Sequence, residues 1–404
     1  MDNLTEILLQ LFAILVATKV GHEVFRRIGQ PAIVGEILGG VVAGPAVLGV
    51  YQINDGTRLF AEIGVVLLLF QVGLTTRLHE LMRVGLTALV VAVLGVVFPF
   101  AAAFAITEVV SSGDLALGLF LGAALTATSV GITSSVLRDL DALHTTSGRI
   151  ILGAAVVDDI LGIMVLSVAA GIAAGEFSLA RLVSLLVVAV LFVVIVAVAG
   201  TRVVRTRGSL LTAPRFAESA FLPGMIVMLG LAALASVIGL AAIIGSFLAG
   251  MVVGEAPERP ALEAEVAPVA AFFTPFFFGA VGAQVDLAGL ASLEAIALLV
   301  GVTLLAILAK FVGAFIGAIR HGRARAVLIG WGMVPRGEVG LVVAGLGLST
   351  GAIGQEIYSV VVGMAIATTV IVPPFLPMLV RRAEPETDRD EEDRPFPADR
   401  EGAS

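Results

Sequence analysis

Apolar runs recur along the whole 404-residue chain, many of them long enough to cross the roughly 30 Å hydrocarbon core of a bilayer. No other feature constrains the fold as strongly. In lipid every backbone amide must find its partner inside the chain, so such runs must fold as helices packed on one another. Breaking the sequence at charged, Gly and Pro punctuation gives about thirteen segments, centred near residues 14, 40, 68, 96, 126, 160, 190, 228, 247, 274, 305, 338 and 368. The chain is 58% hydrophobic and 14% charged, with a mean hydropathy of +1.07. Soluble domains are nearer half apolar and a quarter charged. The expected fold class is therefore all-α and polytopic in a membrane.

The ends of the chain read differently from one another. "MDNLTEILLQLFAILVATKV" has neither a basic n-region nor a small-residue cleavage site, so it is expected to stay as the first membrane helix. Much of the net charge of −8 comes from "RRAEPETDRDEEDRPFPADREGAS". A polar, acidic, proline-containing segment of this kind is expected to be disordered over 383–404, leaving a transmembrane domain over 1–382. With no cysteine in the chain, a disulfide framework and a thiolate metal site are both excluded.

Basic residues orient the helices. Connections after odd-numbered segments hold Arg26, Arg27, Arg77, Arg83, Arg138, Arg149, Arg202, Arg205, Arg207, Arg215, Arg259, Arg320, Arg323, Arg325, Arg381 and Arg382; those after even-numbered segments hold only Arg58 and Arg181. Cytoplasmic loops collect Lys and Arg, so the N-terminus is expected outside and the C-terminus in the cytoplasm. A duplication runs alongside this pattern. "GEILGGVVAG" (35–44) and "GSFLAGMVVG" (245–254) share G-x-x-L-x-G-x-V-x-G, and "VGLTTRL" (72–78) and "VGAQVDL" (281–287) follow at nearly equal offsets. A shift of seven segments is odd, so the two copies must cross in opposite directions, as inverted repeats of secondary transporters do. The repeats are expected over about 4–174 and 214–382, joined by a linker helix over about 179–206.

Charge at membrane depth is the chemical signal. Asp158 and Asp159 lie mid-way along the sixth segment, in "GAAVVDDILGIMVL", where an ionisable group costs about 2.5–3.5 kcal/mol on insertion scales. Adjacent helical residues point about 100° apart, so the two carboxylates should serve different partners. Lys310, one of two lysines in the chain, sits deep in "LLAILAKFVGAFIGA" and needs a carboxylate beside it. Pairing Lys310 with one aspartate leaves the other for a passenger.

Two segments carry residues that compete with regular helix. "ALTATSVGITSSVL" (124–137) clusters Thr126, Thr128, Ser129, Gly131, Thr133, Ser134 and Ser135, and its counterpart "GWGMVPRGEVGLVVAGLG" (330–347) places Pro335 and Gly337 at mid-membrane. Unwound backbone at that depth must be buried or line a cavity, so two interrupted helices crossing near one site are expected. Arg336 and Glu338 read as a locally neutralising pair that a broken helix or a third partner such as Glu36 would complete. Lys19 and Glu23, four apart, read as a snorkelling pair near a helix end.

"ALTATSVGIT", "RIILGAAVVDDILGIMVL", the lysine in "ILAKFVGAFIGA" and "GMVPRGEVGLVVAGLGL", with "QPAIVGEILGGVVAGPAVLG" and "LLLFQVGLTTRL", together resemble bacterial sodium/proton antiporters of the monovalent cation:proton antiporter superfamily, NapA-type branch. The likeness spans about residues 5–382. It implies a thirteen-helix inverted-repeat fold with two discontinuous helices (an NhaA-like antiporter fold). It also implies a dimerisation domain, hence a homodimer, and a mobile core domain. In that family the residue at Asp159 is the main cation and proton carrier, and the one at Asp158 pairs with the lysine at Lys310. An aspartate at the first position implies electrogenic exchange.

Oxygen ligands suit Na⁺ or Li⁺, and Asp159, Asp158, Thr128 and Ser129 can supply them as the transported ion's site. A carboxylate in partly dehydrated surroundings is costly to leave bare, so proton and cation compete for it. No resident metal, cofactor, nucleic-acid partner or enzymatic activity is expected; the partners are Na⁺ or Li⁺, H⁺ and the bilayer. An intramembrane aspartyl protease needs carboxylates on facing helices, which consecutive residues cannot supply. K⁺/H⁺ exchange is the alternative within the same superfamily, and a proton-uncoupled cation channel the alternative outside it.

Overall fold

The computed structural model describes residues 3–76, 83–111, 115–173, 179–206, 219–284 and 292–384. Among them the regular structure is helical throughout. The first sequence half folds as α1 (Asn3–Arg27), α2 (Ala32–Ala43), α3 (Asp55–Thr75), α4 (Gly85–Ser111), α5 (Leu115–Thr126), α6 (Val130–Asp139) and α7 (Thr146–Ala173). Next, α8 (Leu179–Ile195) passes through a π turn (Val196–Gly200) into a last short stretch (Thr201–Thr206). The second half folds as α9 (Phe221–Val237), α10 (Ala242–Val253), α11 (Arg259–Ala283), α12 (Leu293–Ala318), α13 (Arg323–Gly332), α14 (Glu338–Ser349), α15 (Gln355–Ile371) and α16 (Leu376–Ala383).

Each of the thirteen expected centres falls on a helix. Among the described residues eight stretches are long and apolar enough to cross a membrane, and α2, α9 and α10 are shorter apolar helices. At 12 residues each, α2 and α10 extend only about 18 Å at 1.5 Å per residue. Their glycine-rich faces pack on neighbouring helices instead of facing lipid. Lipid-like faces lie elsewhere: Leu4, Leu8, Phe12, Val16, Val20 and Val24 form an exposed stripe on α1, and Val300, Leu304, Leu308, Val312 and Ile316 another on α12. Exposed apolar residues at four-residue spacing mark the outward face of a membrane helix.

The duplication is visible in the packing. A Cβ on Gly73 would lie 2.2 Å from the Phe247 carbonyl oxygen, and one on Gly282 would lie 2.1 Å from that of Ile37. The sequence repeat pairs Ile37 with Phe247 and Gly73 with Gly282, so each contact is the other with its halves exchanged. Gly40 against Gly279 and Gly250 against Phe70 are exchanged in the same way. Gly64 meets Phe273, its own repeat mate. A twofold axis through the α3–α11 contact produces this pattern, and it is the relation expected of inverted repeats.

The chain stays packed through its last described residue. Glu384 is buried, and its carboxylate accepts from the Ser147 amide at 3.1 Å, the Ser147 hydroxyl at 2.6 Å and Arg325 Nη2 at 3.1 Å. Most of the expected tail lies outside the described residues.

Candidate functional site

Both segments expected to be broken are broken. Ala127–Ser129 separates α5 from α6, and Met333–Gly337 separates α13 from α14. Pro335 offers no amide to continue a helix. The freed backbone groups find partners in the opposite break: the Ser129 amide donates to the Pro335 carbonyl at 2.8 Å, and the Thr128 hydroxyl to that of Met333 at 3.2 Å. Thr133, one turn into α6, donates to the Gly332 carbonyl at 2.8 Å. The approach needs glycine at 337, where a Cβ would lie 2.5 Å from Ser129 Oγ. These hydroxyls and amides meet the requirement that unwound backbone in a dry interior be satisfied within the protein.

Beside this contact α7 brings Asp158 and Asp159. Both are buried, 1% and 4% exposed. Lys310 reaches across from α12, and its Nζ donates to Asp158 Oδ1 at 2.7 Å and to the Thr126 carbonyl, the last of α5, at 2.6 Å. The lysine thus neutralises a carboxylate and also caps the end of a half-helix, where carbonyls carry partial negative charge. The other Asp158 oxygen, Oδ2, is buried with no protein hydrogen bond. Asp158 is therefore the aspartate that takes the lysine, a choice the sequence spacing leaves open and the family resemblance implies.

The pairing expected of Arg336 with Glu338 falls on a side chain outside the described residues. Arg336 itself is buried, and its guanidinium donates through Nη2 to the Ala306 carbonyl of α12 at 3.2 Å. Its backbone is held by α15: the amide donates to Thr368 Oγ1 at 3.2 Å, and the carbonyl accepts from Thr369 Oγ1 at 2.6 Å. Glu338 opens α14. Glu36 is engaged on α1, where its Oε1 takes Lys19 Nζ at 3.1 Å and His22 Nδ1 at 2.8 Å. Lys19 accordingly turns to Glu36 on α2, while Glu23 accepts from Arg27 Nε at 2.8 Å. A buried carboxylate on a neighbouring helix outcompetes an exposed one four residues along.

Sequence reasoning missed the α15 threonines and the Ala306 carbonyl, which together seat the second break. Thr368 and Thr369 belong to an ordinary-looking helix, and a backbone carbonyl leaves no mark in a sequence. The Thr126 carbonyl, where α5 breaks off, shares the Lys310 ammonium with Asp158, and carbonyl and carboxylate oxygens are the donor type a hard monovalent cation prefers.

Residues 11–382 match the family described as "Sodium/hydrogen exchanger, transmembrane". The chain is 34% identical to the high-affinity Na⁺/H⁺ antiporter NhaS3 of Synechocystis, across 95% of this chain and 92% of that protein. It is also 34% identical to the Na⁺/H⁺-K⁺ antiporter GerN of Bacillus cereus, across 92% and 95% respectively. The fold is similar to that of the sodium proton antiporter MjNhaP1 from Methanocaldococcus jannaschii, with a TM-score of 0.67 over 94% of this chain and 99% of that one, at 18% identity. On the match of the family to nearly the whole chain, and on full-length relatives at this identity, the protein belongs to the transmembrane sodium/hydrogen exchanger family.

Proposed function

We propose that the protein is a multi-pass membrane antiporter that exchanges Na⁺ or Li⁺ for H⁺, electrogenically, through Asp159 with Asp158 and Lys310. The observation that carries this reading is the sealed Lys310–Asp158 pair standing next to a second carboxylate, against two interrupted helices. Asp159 holds either a proton or the passenger ion, with Thr128, Ser129 and opened backbone completing the shell. Because a bare charge is costly at this depth, the site crosses loaded with one or the other, which is antiport. When Na⁺ draws Asp158 away, Lys310 loses its counter-ion and gives up a second proton. Two protons then move against one Na⁺, and the membrane potential drives the exchange at about 2.3 kcal/mol per charge per 100 mV.

The architecture supports alternating access between two bodies. The repeats over about 4–174 and 214–382 and the linker helix over 179–206 keep their expected boundaries in this reading. The arginine-rich odd connections support an outward N-terminus and a cytoplasmic C-terminus in the plasma membrane. The exposed apolar stripe of α1 suits a homodimer contact or lipid.

Proteoliposomes with an internal pH dye and imposed Na⁺, Li⁺ or K⁺ gradients test the function. Asp159→Asn is expected to abolish cation-dependent proton movement while the protein still inserts and purifies. Persistent exchange in that variant would overturn the assignment, and cation flux with no proton movement in the native protein would favour a channel. K⁺/H⁺ exchange is the second reading, favoured by the K⁺ in the name of GerN, and the K⁺ gradient decides it.

A further inference from the structure

The contact between α4 and α12 is a glycine seam. A Cβ on Gly313 would lie 2.4 Å from the Leu94 carbonyl oxygen, and one on Gly317 would lie 2.8 Å from the Val91 Cα. At both positions the helices touch backbone to backbone, Gly317 beside Val91 and Gly313 beside Leu94, so they run antiparallel. One turn before Gly313, Lys310 lies against α4 at Gly95. There the crowding is of another kind. The three nearest heavy atoms to an added Cβ on Gly95 all belong to the Lys310 side chain: Cε and Nζ at 3.3 Å and Cδ at 3.5 Å. Glycine at 313 and 317 serves the approach of two helices, whereas glycine at 95 serves one side chain.

That side chain has little freedom to yield. Lys310 is fully buried, and its Nζ holds Asp158 Oδ1 at 2.7 Å and the Thr126 carbonyl at 2.6 Å together. Both contacts sit at the short end of charge-assisted hydrogen bonds, so a displacement of a few tenths of an ångström lengthens one or both. Glycine in a helix interior is destabilising relative to alanine, and no backbone neighbour of Gly95 is close enough to demand it.

We propose that Gly95 is a positioning residue for the exchange reaction: its bare α-carbon gives the Lys310 ammonium the room to reach Asp158 and the end of α5 at once. This rests on the reading of Lys310 as the proton-coupling group. An added methyl shifts the ammonium off Asp158, which eases Na⁺ onto that carboxylate and weakens the release of the second proton.

The test is a mutant cycle on the full-length protein, with Gly95→Ala and Gly95→Ser each made in the native and the Lys310→Gln backgrounds. Two readouts are taken: the Na⁺ concentration giving half-maximal thermal stabilisation of the purified protein, and the voltage dependence of exchange in proteoliposomes. With Lys310 present, Gly95→Ala is expected to lower half-saturating Na⁺ by about threefold or more and to reduce voltage dependence. In the Lys310→Gln background, which has no ammonium to displace, the shift falls below about 1.5-fold, the signature of coupled residues. Equal shifts in both backgrounds, or none in either, overturn the proposal. If Gly95→Ala is lost from the membrane, its recovery in the Lys310→Gln background supports the proposal, and loss in both overturns it. Should Lys310→Gln itself leave both readouts at native values, the coupling role of Lys310 is what has failed, and Gly95 has nothing to position.

Discussion

Lys310 Nζ and Asp158 Oδ1 lie 2.7 Å apart with both side chains sealed from solvent, and they join α12 of the second sequence half to α7 of the first. Removing one member of such a pair leaves an uncompensated charge and costs about 3–5 kcal/mol, a penalty that removing both charges together avoids. Lys310→Gln is therefore expected to lower the melting temperature sharply, and Asp158→Asn combined with Lys310→Gln to recover most of the loss. Differential scanning fluorimetry in detergent checks this. In proteoliposomes Lys310→Gln should keep some exchange but lose its response to an imposed potential. Undiminished voltage-driven transport would remove the second proton from the mechanism.

The meeting of the two breaks makes a sharper demand on one position. A Cβ on Gly337 would come within 2.5 Å of Ser129 Oγ, whereas Gly345, two turns along in α14, has nothing within 4 Å of an added Cβ. Gly337→Ala is expected to reduce transport at least about tenfold, a cost of about 1.4 kcal/mol or more, by separating Ser129 from Pro335. Gly345→Ala should be harmless or slightly stabilising, since alanine favours helix. Comparable transport rates in the two variants would show that the breaks do not need this close approach.

Twofold-related contacts predict twofold-related costs. Gly73→Ala and Gly282→Ala each drive a methyl into a backbone carbonyl of the opposite repeat, a form of overpacking that costs typically about 1–3 kcal/mol. Their melting temperatures should fall by similar amounts. Gly230→Ala on α9, where an added Cβ meets nothing within 4 Å, serves as the control. A large fall for one mate and none for the other would deny the equivalence of the repeats.

Much of this was legible because the bilayer punishes exceptions. The Asp158, Asp159 and Lys310 charges stood out against apolar surroundings, and Pro335 announced a break in a segment whose repeat mate was dense in Thr and Ser. The repeat itself was written in glycines at fixed spacing. Partner choice was less legible. Lys19 with Glu23 satisfied the helical rule at i, i+4, yet the folded chain gave Lys19 to Glu36 from a neighbouring helix. The guanidinium of Arg336 also reaches the backbone carbonyl of Ala306 on α12, a partner that no residue type marks. Contacts to carbonyls and contacts between distant helices depend on how segments stack, and local spacing does not encode that.

The N-terminal end of the site-bearing helix depends on a residue that composition assigns to a disordered tail. The Ser147 and Gly148 amides, near the N-terminus of α7, donate to Glu384 Oε1 and Thr145 Oγ1 at 3.1 Å each. Arg325 donates to the other Glu384 oxygen through Nε at 3.3 Å and Nη2 at 3.1 Å. A carboxylate at a helix N-terminus satisfies otherwise orphaned amides and complements the helix dipole, and hydrogen bonds to charged groups contribute about 1.5–3 kcal/mol. Glu384→Ala should therefore destabilise the protein by about that amount, because Arg325 loses an ion-pair partner and Ser147 two bonds. Glu384→Gln should fall between, keeping an acceptor for Ser147 without the charge for Arg325. A chain ending at Thr387 should melt with the full-length protein, whereas one ending at Ala383 should melt with Glu384→Ala. If the two truncations melt together, the clasp on α7 contributes nothing, and the helix carrying Asp158 and Asp159 is held by its packing alone.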